Sequence, residues 1–128
     1  EVLAARLASD RLPAKDIGTF QTALDAYGKK VKHGEPAVAE DLLFHLKIAE
    51  ASKNSVLKSL MMVIIPDIVH SFTKLEICRD GRFYQAMEEH KIILQNILDK
   101  NPDLAAKAME EHLSDVTEYS VSLKKEDK

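Results

Sequence analysis

Three histidines and one aspartate fall where helical periodicity turns side chains inward. Phe83, Met87, His90, Leu94 and Ile97 follow one another at spacings of 4, 3, 4 and 3, so His90 lies in the middle of a stripe that must face a core. Ala105, Ala108, Met109, His112, Leu113 and Val116 mark a second such stripe, with His112 inside it. Val38, Asp41, Leu42, His45, Ile48 and Ala49 form a third, which turns Asp41 and His45, one helical turn apart, to the interior. A lone histidine on an apolar face is ordinarily a core residue with one satisfied hydrogen bond. Three with a carboxylate are another matter, since each buried group left unsatisfied costs about 1–3 kcal/mol, and a charged one more. Two arrangements would satisfy them. Neutral imidazole nitrogens and a carboxylate oxygen suit a divalent ion, with zinc first and nickel, manganese or iron as the others, and a pair at i, i+4 reaches one ion from one helix. A buried Asp–His hydrogen-bond network would serve as well, and spacing alone leaves both open. His33, at a helix C-terminus, and His70, three residues after Asp67, read as surface or interhelix residues.

The elements that carry these residues are all helical. Glycine and proline number four each, and no stretch alternates apolar with polar over a strand length. The pattern predicts a short helix from about Val2 to Ser9 and a second from about Ala14 to Lys32, with Ile17, Phe20, Leu24 and Tyr27 inward and Gly34 as its stop. Pro36 opens a third, which runs to about Ala51. Asn54 caps a fourth carrying Val56, Leu57, Leu60, Met61 and Ile64. Pro66 should kink or break it before Ile68, Val69 and Phe72. Arg79–Arg82 reads as a turn, Phe83 to Leu98 as a fifth helix, and Asn101-Pro102 as cap and first residue of a sixth reaching about Val121, before a solvated KKEDK tail. The expected architecture is an all-α antiparallel bundle of about six or seven helices.

Composition bounds the function. At 128 residues the chain fits one domain with a core of its own, spanning 1–128, and 45% hydrophobic with 30% charged residues is that of a globular protein. The longest apolar run, Leu60–Ile65, is far short of the ~20 residues that span a bilayer, and the first residues, EVLAARLASD, have no signal-peptide pattern, so a cytoplasmic location without membrane contact is expected. One cysteine, Cys78, makes no internal bridge and reads as a small apolar residue. A net charge of −3 with scattered basic residues makes this chain a poor grip on DNA phosphates.

Three blocks, met in order, resemble a known family. DLLFHLKIAEASKNSVL (41–57), EEHKIILQNI (88–97) and NPDLAAKAMEEHL (101–113) are similar to the C-terminal effector-binding domain, called FCD, of the FadR subfamily of GntR transcription regulators. Where the family commonly has Gly-Asp ahead of its last helix, this chain has Lys100-Asn101. The resemblance covers the whole chain and implies an FCD-like bundle in which Asp41, His45, His90 and His112 hold one divalent metal. It further implies a small carboxylate effector, such as a hydroxy acid or sugar acid, bound at or beside the ion. Arg82, Asn54 and Arg6 are the candidate effector contacts, set against plainer readings of Asn54 as a helix cap and of the two arginines as surface residues. A homodimer is implied, with DNA bound only through an N-terminal winged helix-turn-helix that this chain does not contain. A metalloenzyme is the rival class, but no second carboxylate has a spacing that singles it out as a general base, so no catalysis is expected. A metal-free helical interaction module is the remaining alternative.

Overall fold

The computed structural model describes the backbone of residues 1–35, 37–75 and 82–126, and the side chains of these residues except 65, 66, 68–75, 82, 83 and 115–126. Six α-helices follow one another: α1 (Val2–Arg11), α2 (Ile17–Lys32), α3 (Val38–Ala51), α4 (Ser55–Leu75), α5 (Arg82–Leu98) and α6 (Pro102–Glu126), with no strand among the described residues. The fold is the all-helical bundle that periodicity and resemblance both imply.

The helix ends follow local chemistry. Asn54 Oδ1 accepts the amides of Val56 and Leu57 at 3.0 and 3.2 Å and starts α4, and Asn101 Oδ1 accepts the amide of Leu104 at 3.2 Å at the start of α6. Gly34, at φ 68°, closes α2: its amide bonds the carbonyl of Val31 at 3.1 Å and that of Glu35 reaches Lys30 at 3.0 Å, the paired bonds of a Schellman stop.

Several boundaries differ from those read in the sequence. Ala14–Asp16 is a 3₁₀ turn rather than the first turn of α2, and α1 runs on to Arg11. Helix α3 begins at Val38; Pro36 lies outside the described residues. Helix α4 continues through Pro66 to Leu75, so proline does not break it there. Helix α6 is about one turn longer than expected. Residues 79–81 of the expected turn, and the side chains of Cys78 and His70, lie outside what is described.

The core has a distinct plan. Helix α1 presents Ala4, Ala5, Ala8 and Ser9, all buried, and these small side chains let it lie close against α6, α3 and α5. Phe20 and Leu24 from α2, Phe44 and Ile48 from α3, Ile93, Leu94 and Ile97 from α5, and Ala105 and Met109 from α6 complete one cluster. Phe20 meets Phe44 edge to face at 6.1 Å. The core therefore takes in one face each of α3, α5 and α6, the three helices that carry the aspartate and the histidines.

Candidate metal centre

Helix α3 brings Asp41 and His45, α5 brings His90, and α6 brings His112, all to one point inside the bundle. His90 is fully buried and His45 and His112 nearly so, while Asp41 keeps a 13% exposed side chain. One ligand atom from each of the four can be chosen so that all lie within 4.8 Å of one another. Asp41 Oδ1 is 2.9 Å from His90 Nε2 and 3.3 Å from His45 Nε2, and the Nε2 atoms of His45 and His112 are 3.4 Å apart. Donor atoms bonded to one ion at about 2.0–2.2 Å stand about 3.0 Å apart at right angles and about 3.4 Å apart at tetrahedral angles, and these separations fall in that range.

The rings are fixed by packing. His90 stacks on Phe44 (centroids 4.6 Å, planes at 23°) and lies against Tyr27 at 4.8 Å, and the rings of His45 and His112 stack at 5.3 Å. The outward nitrogens of two of them meet carboxylates. Glu89 Oε1 accepts from His112 Nδ1 at 2.8 Å, and Glu1 Oε1 is 2.7 Å from His45 Nδ1, in ion-pair contact off the line of the ring N–H. By contrast Asp41 Oδ1 and both ring nitrogens of His90 are buried without a hydrogen bond, because the 2.9 Å approach between Oδ1 and Nε2 is misdirected for one. Buried polar atoms in a native core are nearly always satisfied, so this convergence is what a cation-binding donor set looks like from the protein side.

The charges reinforce one another. Burial pushes the Asp41 carboxyl up, but the facing donors and positive charge of His45 and His90 outweigh it and hold the group well below the usual carboxylate range. Burial alone would depress His45; Glu1 and Asp41 overcome it and raise it to about 10. His90, where burial dominates, falls to about 4, and His112 is lowered for the same reason, with the charge of His45 adding to it. Glu1 is held below its ordinary value: burial raises it, and the charge and donor of His45 more than offset this.

The three candidate effector contacts are not brought to this centre in the same way. Asn54 is engaged as the cap of α4, and Arg6 pairs through Nη1 with Asp103 Oδ1, joining α1 to the first turn of α6 at the surface. The Arg82 side chain lies outside the described residues. His33, as expected, is a surface residue whose Nδ1 lies 3.2 Å from the carbonyl of Lys29. A groove of about 620 Å³ lies between α2 and α5, lined by Lys29, Lys32, His33 and Lys91 among others and by none of the four central residues. Sequence reasoning missed Glu1, Glu89 and the ring partner Phe44. Contacts 44 and 23 residues apart in sequence have no local spacing that reveals them. Phe44 stands just off the α3 stripe.

The HTH-type transcriptional regulator LutR of Bacillus subtilis strain 168 is 30% identical over 120 residues, which are 91% of this chain and 55% of that protein, so the chain spans about half the length of the curated relative it matches. The family model described as FCD domain matches residues 1–115, which include every residue of the centre, and the chain belongs to the FCD domain family.

Proposed function

We propose that this chain is the effector-sensing half of a bacterial GntR-type transcription regulator of the FadR subfamily, acting in the cytoplasm. In this reading Asp41, His45, His90 and His112 hold one divalent cation, with zinc the first choice. The observation that carries it is the convergence of one carboxylate and three imidazoles, among them an Asp41 oxygen and a His90 ring that have no hydrogen bond in a closed core. When bound, the cation supplies Lewis acidity toward an oxygen donor, and a small carboxylate such as a hydroxy acid or sugar acid is the proposed effector. Because the donors come from α3, α5 and α6, an effector that prefers one arrangement of these helices biases how two such domains pair. That pairing in turn sets the spacing of the winged-helix domains that contact DNA. The relative LutR, an HTH-type regulator about twice the length of the match, supports a DNA-binding segment outside this chain. The family is one of regulators, and we assign no catalysis to the centre.

The test is elemental analysis of purified wild type and His90→Ala, followed by thermal-shift measurement of wild type against small carboxylates with and without chelator. We expect about one ion per chain in wild type, its loss in the variant, and stabilisation by carboxylate that chelator abolishes. Metal absent from wild type after incubation with zinc overturns the site, and carboxylate stabilisation that survives chelator overturns the metal-dependent effector.

A further inference from the structure

Two carboxylates outside the central four face them from behind. Glu89, on the same helix as His90, reaches across to His112 on α6, and Glu1, just ahead of α1, reaches His45 on α3. Glu89 accepts from Nδ1 of His112 at 2.8 Å, which selects the tautomer that carries its proton on Nδ1 and leaves the Nε2 lone pair facing the shared centre, whereas Glu1 lies 2.7 Å from Nδ1 of His45 in ion-pair contact, off the hydrogen-bond line, and favours a proton on that nitrogen by its charge. The carboxylates are themselves half-buried, with 18% and 20% of their side chains exposed, which keeps water from competing fully for the imidazole N–H. His90 has no hydrogen bond on either ring nitrogen, its Nε2 standing 2.9 Å from the Asp41 carboxylate, and Phe44 and Tyr27 pack against its ring.

Resting on the metal-binding reading above, we infer that Glu1 and Glu89 are positioning residues for the cation: they orient His45 and His112 and raise their basicity as ligands without touching the ion. Carboxylate partners of ligating histidines typically contribute about 10- to 100-fold in metal affinity. The two have different consequences. Glu89 joins α5 to α6, helices that already share a short connection, and so stiffens one part of the centre. Glu1 joins the start of α1 to α3, which makes the orientation of His45 depend on how the first turn of α1 is seated. Occupancy of the centre should therefore be felt at the first turn of α1.

The experiment measures zinc affinity by competition with a chromogenic chelator, and the visible spectrum of the Co(II)-loaded protein, for wild type, Glu1→Gln, Glu1→Ala, Glu89→Gln and Glu89→Ala. Glutamine keeps an acceptor for the Nδ1 proton but not the charge, so we expect a loss of about 10-fold for each glutamine variant and up to about 100-fold for each alanine variant. The d–d bands should shift relative to wild type, a readout that a merely structural role of either glutamate would not move. Wild-type affinity and an unshifted Co(II) spectrum in all four variants would overturn this inference and leave the metal site standing. A wild type that binds neither ion would overturn the metal-binding reading itself. Hydrogen exchange on wild type with and without zinc tests the α1 coupling directly: protection of the α1 amides that appears in wild type but not in Glu1→Ala is expected, and equal protection in both overturns it.

Discussion

At the scale of single residues, the centre holds opposed titrations that fix how the metal-free protein responds to pH. His45 is raised in the folded state from 6.5 to about 10, the charges of Glu1 and Asp41 overcoming its burial. Its contribution to stability is present in full below pH 6.5 and is lost as pH rises toward 10. His90, lowered by burial from 6.5 to about 4, acts in the other direction: its share is intact above pH 6.5 and is lost as pH falls toward 4, and His112 has the same sign. Asp41, held below its ordinary 3.8, adds a further loss at the acid end. Chelator-treated protein should therefore melt highest near pH 6.5 and lower on either side. A cation needs His45 deprotonated, so zinc binding at pH 7–8 should release about one proton per ion. Calorimetry in two buffers of different ionisation heat reads this as a buffer-dependent enthalpy, and identical enthalpies in the two would contradict the protonated His45. The four central residues were legible in the sequence because each sits on an apolar stripe of its own helix. Glu1 and Glu89 were not legible, since their partners lie on other helices.

Helix ends make a separate prediction. Lys100 stands at φ 56° after α5, its amide bonded to Ile97 at 3.1 Å and that of Asn101 to Asn96 at 3.0 Å, the same Schellman stop that Gly34 makes after α2. A side chain in the left-handed region costs about 1 kcal/mol relative to glycine. Lys100→Gly is expected to stabilise the protein by about 1 kcal/mol and Gly34→Ala to destabilise it by about the same, both read from denaturant midpoints at unchanged slope. A destabilised Lys100→Gly would mean that the lysine side chain contributes more than its backbone strain costs. Helix existence and inward faces followed from periodicity, as Phe20, Leu24 and Tyr27 on α2 illustrate. Boundaries were harder. Ala14–Asp16 winds as a 3₁₀ turn that has the same local composition as a helical first turn, and the penalty of Pro66, a few kcal/mol by the local rule, is outweighed in a helix of 21 residues.

Across the whole molecule, the exposed face of α4 bears on the proposed dimer. Val56, Leu60 and Val63 recur at spacings of 4 and 3 and are 64%, 55% and 71% exposed, with Met62 and Ile64 also exposed beside them. A seam at that spacing, with Leu between β-branched residues, is what a second helix packs against lengthwise. Lys58, the one charged residue in Ser55–Ile64, is directed to Glu50 on α3, away from any partner. Which helices pair within the bundle, and which face is left over, is set by contacts far apart in sequence. The same periodic stripe that predicted α4 therefore could not say that Val56, Leu60, Met62, Val63 and Ile64, most of the apolar side chains described on it, would remain outside the core. A second copy of this chain is the occupant that the regulator reading supplies, giving an isologous pair in which α4 meets α4 across a two-fold axis. Replacing Leu60 and Val63 by Glu would bury unpaired charge in that seam at a cost of about 3 kcal/mol, which is a weakening of about 100-fold. Light scattering after size exclusion should find wild type as a dimer and Leu60→Glu/Val63→Glu as a monomer with its metal content intact, since both side chains are exposed on a helix that carries none of the four central residues. A dimeric double variant would move the interface off α4, whereas a monomeric wild type would remove the pairing on which the proposed transmission to DNA depends.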